Sequence, residues 1–148
     1  HKPTHFLSGG QKKQVSVADI LVMDPEVIVL DEPEAALDPK HAGILNRMID
    51  DLSSKGITII ESTHDVDHAF AWADRVILFH QGKVLRQGSP EEVFSSEADL
   101  KKTNLTKPAV LHLFEILTAK GILSAGLPIP RDLTQLESYI TMKEDFPR

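Results

Sequence analysis

Two short apolar runs stand out in the first half of the chain. Residues 27–30 (VIVL) and residues 57–60 (ITII) are continuous and rich in β-branched side chains. Runs of this kind are typical of strands that are buried on both faces of a parallel sheet. Between the runs, apolar residues recur at helical spacing, namely Leu45, Met48, Ile49 and Leu52. The pattern predicts a strand–helix–strand unit with a right-handed parallel crossover.

Capping residues delimit the predicted helices. Asp38 is a typical N-cap residue, a proline follows it at the first helical position, and Gly56 is a natural stop. An earlier helix is predicted over residues 8–23, because Ser8 and Gln11 have the S-x-x-Q spacing of a capping box.

A hairpin and two short helices are predicted after the second strand. RVILF and KVLRQ are the expected strands of the hairpin, and the HQG between them is a hairpin-type turn. Short helices are predicted at residues 65–74 and at residues 89–94. The second of them has Ser89 as its N-cap and Glu92 to complete a capping box.

The last third of the chain has a different character. An amphipathic helix is predicted over residues 107–121, and a Pro/Gly loop (GLPIPRD) separates it from a final helix (DLTQLESYI). The apolar face of the amphipathic helix is expected to consist of Val110, Leu113, Phe114 and Leu117. We therefore divide the chain into an α/β portion, residues 1–95, and a C-terminal helical extension, residues 96–148.

Composition narrows the classes of function. The chain has 148 residues, 41% of them hydrophobic and 26% charged, which suits one domain or one lobe of a larger domain. Its net charge of −6 gives no electrostatic basis for binding nucleic acid. The absence of cysteine excludes a disulfide scaffold and thiolate metal sites. No apolar run approaches the roughly 18 residues that a membrane span needs.

Polar residues that could carry chemistry follow both predicted parallel strands. Asp31 and Glu32 come directly after the first strand, and His64 lies just beyond the second. Ligands of open α/β sheets sit at this carboxyl edge. There an aspartate can hold Mg²⁺, and the neighbouring glutamate can orient or deprotonate a water molecule. A histidine can contact a phosphoryl group during its transfer.

The segment HFLSGGQKKQ, residues 5–14, predicts an anion site. Gly9 and Gly10 allow backbone N–H groups to approach a ligand closely, and Ser8 offers a hydroxyl donor. The start of a helix adds partial positive charge, so phosphate is the expected ligand.

Four motifs together resemble those of the ABC ATPases. In family order, LSGGQ resembles the signature loop, VIVLDEP the Walker B strand, ALDP the D-loop, and STHD the switch histidine. The resemblance implies an α/β fold with a P-loop NTPase-like parallel sheet. It also implies an ATP-binding and ATP-hydrolysing subunit that works as a head-to-tail dimer with a second ABC ATPase subunit. STHDVD, GKVLRQGSPEEVF and the tail TNLTKPAVLHLFEILTAKG are more closely similar to energy-coupling-factor ATPases of the cobalt/nickel import type.

The resemblance implies a role for each matching residue. Asp31 would bind Mg²⁺, Glu32 would be the catalytic base, and His64 would contact the γ-phosphate of ATP. Asp38 would communicate across the dimer. The ATP held by the other subunit would be clamped by Ser8, Gly9, Gly10 and Gln11. The subfamily further implies cobalt, nickel or vitamin uptake, integral membrane partner subunits, and a peripheral location on the cytoplasmic face of the cell membrane.

Three residues depart from the family pattern. Glu34 follows DEP, where a small hydroxyl residue is usual, and this third acid either tunes turnover near Mg²⁺ or faces solvent. Gln14 stands where arginine is usual, which is expected to weaken a contact to nucleotide or neighbour. Asp19 replaces a small residue and is expected to change a packing surface.

The phosphate-loop motif G-x-x-x-x-G-K-[S/T] does not occur in the 148 residues, and the first residue is His1 rather than methionine. We therefore expect the chain to be the back part of a longer ATPase. In the family, the phosphate-loop strand lies between the switch-histidine strand and the RVILF strand. Unpaired strand edges, self-association and weak ATP binding are accordingly expected of this chain alone.

Alternative interpretations stay open. His64 and His68 have the i, i+4 spacing of a metal-binding pair, and the acids after the first strand also suit a helix cap. One alternative function is a non-catalytic chain that lends its signature loop to a partner. Another is a DNA-repair-type ABC ATPase, although that class has long heptad arms and basic surfaces, which this chain lacks.

Overall fold

The computed structural model describes residue 19 and residues 24–144. The chain divides between His64 and Asp65 into two compact units, and the strands of each unit form their own sheet. Within the described residues each sheet has two strands, so every strand has an edge that no other described strand pairs with.

The first unit is a parallel strand–helix–strand unit, as predicted. Strand β1 covers Val27–Asp31, helix α1 covers Pro39–Ser54, and strand β2 covers Thr58–Ser62. The two strands pair in parallel, with Asp31 opposite Ser62. Both strands therefore end at the same edge of the sheet, and the residues that follow them start from neighbouring positions.

Helix α1 has the predicted boundaries. The Asp38 side chain accepts a hydrogen bond from a backbone N–H of the first turn, and Gly56 after the helix has a φ of +88°. Only glycine adopts such a conformation without strain, which explains the stop. The buried face consists of Leu45, Ile49 and Leu52, and Met48 at its margin is half-buried.

The prediction that both strands are buried on both faces is wrong for this chain. Ile28 is buried, but Val29 beside it is 70% exposed, and Val27 and Ile60 are also exposed. A strand is covered on both faces only when layers pack on both sides of its sheet. Among the described residues of this unit, α1 is the helix that packs against the sheet, so one face has no cover.

The second unit begins with a helix and a hairpin. Helix α2 covers Val66–Trp72, and Asp65 caps it by accepting a hydrogen bond from the His68 N–H at 2.9 Å. Strands β3 (Val76–His80) and β4 (Lys83–Gly88) pair antiparallel, as predicted. The two residues between them both have positive φ, as type I′ hairpin turns require.

Four helices follow the hairpin. Helix α3 covers Pro90–Phe94, and its capping box is formed as predicted. Helix α4, Glu97–Thr103, was not predicted, and it ends at Asn104 in the left-handed region. Helix α5 covers Ala109–Ala119, and helix α6 extends the predicted final helix to Leu133–Glu144.

One core holds the second unit together. Its buried members come from α2 through α6 and from the loop before α6. They are Phe70, Phe94, Leu100, Val110, Leu111, Phe114, Leu123 and Leu136. These residues stand on both sides of the boundary at residue 95, so the extension and the end of the α/β portion share one core. The functional division at residue 95 stays a prediction.

The apolar face of α5 differs from the predicted one. Leu113 is 41% exposed, whereas Leu111 is 1% exposed and lies in the core. Each residue turns the helix by about 100°, so a face centred on Phe114 includes Leu111 and Leu117 and leaves Leu113 near its edge. The sequence alone did not define the centre of that face, because the apolar residues of the helix allow a face that includes Leu113 or one that includes Leu111.

Polar contacts also hold the extension onto α2 and α3. The Arg131 guanidinium donates to the Glu91 carboxylate at 2.6 Å and to the Ala73 carbonyl at 2.5 Å, and it lies 5.5 Å from the centre of the Phe70 ring. The first N–H of α5, from Ala109, donates to a carboxylate oxygen of α2 at 2.6 Å. The extension is thus anchored to two helices of the preceding segment.

Candidate active site

The carboxyl edge of the β1–β2 sheet brings together the predicted acids. The Ser62 hydroxyl donates a hydrogen bond to a carboxylate oxygen of Asp31, its partner in the strand register. The Glu32 N–H donates to the Ser62 carbonyl at 3.0 Å and lies 3.3 Å from the Ser62 hydroxyl oxygen. These bonds fix the end of β1, and with it both acids, on the end of β2.

Glu32 and His64 form a direct pair, although 32 residues separate them in sequence. Glu32 Oε1 lies 2.8 Å from His64 Nδ1. A ring whose Nδ1–H donates to a carboxylate has its Nε2 as the remaining acceptor when neutral. The Glu32 side chain is 38% exposed and that of His64 is 82% exposed, so both are accessible to a ligand. The structure therefore brings the two predicted catalytic residues together.

The Asp38 side chain forms its contacts with His41, within the first unit. Its Oδ1 accepts from the His41 N–H at 3.0 Å, and its Oδ2 lies 2.6 Å from His41 Nδ1. The His41 N–H is the main cause that lowers the pKa of the Asp38 carboxyl, and the His41 side chain lowers it further. The role of Asp38 in communication across a dimer stays a prediction, and what the structure shows is the N-cap of α1.

The Asp38 carboxyl is expected to titrate below its ordinary pKa of 3.8. Because folding lowers this pKa, the stability contributed by the cap is present above about pH 4 and is lost as the pH falls through the lowered value. NMR titration of the Asp38 carboxyl carbon measures the shift. In the His41→Ala variant part of the shift should remain, because the backbone N–H, the largest single cause, is still present. A midpoint at or above 3.8 in the native chain would contradict the assignment.

Glu34 has a partner that was not predicted from the sequence. Asn46 Nδ2 donates to Glu34 Oε1 at 2.5 Å, and the Glu34 side chain is half-buried. Neither expectation for Glu34, a position near Mg²⁺ or one facing solvent, describes this contact with α1. The contacts of Ser62 and Asn46 with the candidate acids were not predicted from the sequence. Ser62 belongs to the STHD motif, so the motif could have indicated its role. Asn46 lies 12 residues from Glu34, and no local pattern indicates their contact.

The donor atoms at the edge suit Mg²⁺. This ion prefers oxygen ligands and is usually held by one or two carboxylates together with phosphate oxygens and water. Asp31 offers such a carboxylate, and the Ser62 hydroxyl oxygen is beside it. In the described part of the chain, no group of three or more His, Asp or Glu side chains is placed to hold a metal by itself. His68, the other half of the possible histidine pair, stacks on Trp72 with ring centres 5.9 Å apart.

The signature residues lie outside the described residues. These are Ser8, Gly9, Gly10 and Gln11, and the same is true of Gln14 and of most of the helix predicted over residues 8–23. Asp19 is described, and it is helical and exposed. The anion site predicted at this loop therefore stays a prediction.

No helix among residues 24–144 is both long enough and apolar enough to cross a bilayer.

Known proteins resemble this chain over most of its length. The family described as ABC transporter matches residues 1–35. The energy-coupling factor transporter ATP-binding protein EcfA of Methanocaldococcus jannaschii is 54% identical over 120 residues, which are 81% of this chain and 43% of that protein.

Solved structures give the same picture. One is cbiO1 from Clostridium perfringens, described as part of the ABC transporter complex cbiONQ. It is 44% identical with a TM-score of 0.58, and the match covers 77% of this chain and 46% of that chain. Another is a dimeric, post-hydrolysis state of the ATP-binding cassette MJ0796 bound to ADP and Pi. It is 34% identical with a TM-score of 0.53, and the match covers 61% of this chain and 38% of that chain. This chain thus spans less than half the length of these relatives.

Proposed function

This chain belongs to the family of ABC transporter ATP-binding proteins, and we propose that it supplies the hydrolytic carboxylate and histidine of an ATPase that drives an importer. The likeness to solved ATP-binding cassettes confirms the predicted α/β fold of the P-loop NTPase type. The observation that carries the proposal is the 2.8 Å contact between Glu32 and His64 at the carboxyl edge of two parallel strands.

The geometry supports distinct tasks for the two acids. The Asp31 carboxylate is tied to the Ser62 hydroxyl and would hold Mg²⁺ together with ATP phosphates, where the ion supplies positive charge opposite the phosphate oxygens. The Glu32 carboxylate would orient an attacking water molecule and accept its proton. His64 shares a hydrogen bond with Glu32, and with both ring nitrogens protonated it would also donate Nε2–H to the γ-phosphate as negative charge develops there.

The remaining half of the nucleotide site would come from other segments. We propose that Ser8, Gly9, Gly10 and Gln11 clamp ATP held by a second ABC ATPase subunit in a head-to-tail dimer. Asp38 would face that subunit. The similarity to a dimeric cassette bound to ADP and Pi supports both the nucleotide and the dimer.

The transport role follows from the energy-coupling-factor resemblance. We propose that the ATPase docks on integral membrane subunits at the cytoplasmic face and energises the uptake of cobalt, nickel or a vitamin. The relative from M. jannaschii carries the name of an energy-coupling factor transporter ATP-binding protein, and cbiO1 is described as part of a transporter complex. The sequence offers no feature that favours nucleic acid as a partner.

A second candidate function has one specific observation in its favour. The 148 residues contain no phosphate-loop motif, which is the part that normally grips the nucleotide. A chain of this kind would be non-catalytic by itself and would lend its signature loop to a partner. Its own Glu32 and His64 would then carry no hydrolysis, even when the chain is combined with a phosphate-loop segment on the same polypeptide or on another. We call that combination the assembled ATPase.

Titration with fluorescently labelled ATP and Mg²⁺ separates these possibilities. This chain alone is expected to bind ATP more weakly than about 100 μM, because single acids and a histidine provide no cradle for the β- and γ-phosphates. The assembled ATPase is expected to bind ATP at least about tenfold more tightly and to hydrolyse it. Micromolar affinity of the chain alone would contradict this expectation, and assembly without any hydrolysis would leave the non-catalytic function as the correct one.

A further inference from the structure

The loop between β1 and α1 consists of two successive tight turns. The Ala35 N–H donates to the Glu32 carbonyl at 3.1 Å, and the Leu37 N–H donates to the Glu34 carbonyl at 3.0 Å. Glu32 has a φ of +44° and Ala36 has a φ of +61°. Non-glycine residues adopt these values only at a cost in free energy, so the surrounding structure must enforce them.

One side-chain bond ties the middle of this loop to a rigid element. Glu34 occupies the junction of the two turns, and its Oε1 accepts from Asn46 Nδ2 at 2.5 Å. Asn46 lies in the middle of α1, between Leu45 and the other core-facing residues of the helix. The bond therefore ties the loop to α1 at a point two residues after Glu32 and four residues before Asp38.

We propose that Glu34 is a positioning residue that holds Glu32 and Asp38 in place through its hydrogen bond to Asn46. This inference rests on the proposed function of Glu32. The loop leaves β1 at Glu32, whose N–H is bonded to β2, and it enters α1 at Asp38, which caps that helix. Both ends are held by other bonds, and the Glu34–Asn46 bond holds the strained middle.

A competing role for Glu34 is purely electrostatic. A carboxylate near Mg²⁺ and phosphate adds negative charge, and this would tune turnover without any bond to α1. The two roles make opposite predictions for Glu34→Gln. Glutamine keeps the carbonyl acceptor for Asn46 and removes the charge, so positioning predicts turnover within about threefold of wild type. An electrostatic role predicts that turnover and its dependence on Mg²⁺ concentration both change.

The sharpest test reverses the polarity of the bond in the assembled ATPase. Asn46→Asp sets two carboxylates against each other and should lower kcat about 10- to 100-fold, while the affinity for ATP changes less than about threefold. Adding Glu34→Gln restores an amide–carboxylate bond with donor and acceptor exchanged, and kcat should return to within about threefold of wild type. Asn104→Asp, the same substitution at the chain's other asparagine, is the matched control and should leave kcat unchanged.

A second measurement uses this chain alone and does not depend on hydrolysis. Hydrogen exchange of the Ala35 and Leu37 amides should accelerate at least about tenfold in Glu34→Ala and stay near wild type in Glu34→Gln. The exchange measurement also tests the positioning role of Glu34 if the Asn46→Asp variant does not fold. Unchanged exchange in Glu34→Ala would overturn the inference, and so would unchanged kcat in a folded Asn46→Asp variant. An assembled wild-type ATPase that hydrolyses nothing would refute the proposed function, while the exchange result would still decide the bond's effect on the loop.

Discussion

Glu32→Gln is expected to abolish ATP hydrolysis by the assembled ATPase and to preserve ATP binding. Glutamine has nearly the same shape and keeps an acceptor oxygen for His64 Nδ1, which lies 2.8 Å from the carboxylate. It cannot accept a proton from water, and loss of a general base typically costs about 10²- to 10⁴-fold in rate. The measurement compares phosphate release at saturating ATP with the dissociation constant of labelled ATP.

The chain offers a matched control for this substitution. Glu26 is exposed and lies just before β1, where its carbonyl, rather than its side chain, accepts a hydrogen bond from Thr58. Glu26→Gln removes the same charge next to the other end of β1 and should leave both hydrolysis and binding unchanged. Unchanged turnover in Glu32→Gln would remove Glu32 from the role of base. Equal losses of binding and hydrolysis would point to the shape of the site instead of proton transfer.

Phe70→Ala is expected to destabilise the second unit by about 3–5 kcal/mol, the range for truncating a fully buried phenylalanine. Phe70 is 0% exposed, packs edge-on against Phe94 with ring centres 6.0 Å apart, and carries the Arg131 guanidinium over its face. Its removal leaves a cavity between α2 and the residues of the extension. The decrease in the free energy of unfolding would exceed that caused by most single substitutions, because Phe70 belongs to the core that the extension shares with the preceding segment.

Denaturant unfolding followed by tryptophan fluorescence measures this change. Trp72 is the chain's one tryptophan and lies two residues from Phe70 in the same helix, so the signal reports the second unit. Phe79→Ala is the matched control, because Phe79 lies in the same unit and is 62% exposed. It should change the free energy of unfolding by no more than about 0.5 kcal/mol. Equal effects of the two substitutions would contradict a core shared between the extension and α2.

The predicted elements that proved correct are those with local signals. The caps of α1 and α3 and the hairpin turn depend on residues a few positions apart, and each strand and helix of the parallel unit has its apolar pattern within a single segment. Helix α4 was missed, because its seven residues include four charged ones and offer no apolar periodicity. The family motifs also lie within single segments, which is why the candidate acids and His64 were identifiable before their geometry was known.

The predictions that proved wrong concern which face of a strand or helix is buried, because burial depends on segments that are distant in sequence. The apolar runs of β1 and β2 indicate that both faces are suited to burial, but only the presence of covering layers determines whether they are buried in a given chain. Likewise, the apolar residues of α5 allow more than one face, and the position of the core selected Leu111 over Leu113.

By itself, the sequence determined the order and kind of most elements, the family, and the residue types available at the carboxyl edge. Only the tertiary structure decided which of those side chains meet. Asp31 and Ser62 are 31 residues apart, Glu32 and His64 are 32 residues apart, and Glu34 lies 12 residues from its partner in α1. Local patterns report the conformation of a few neighbouring residues, whereas a hydrogen bond between distant residues requires that the whole strand–helix–strand unit has first brought its ends together.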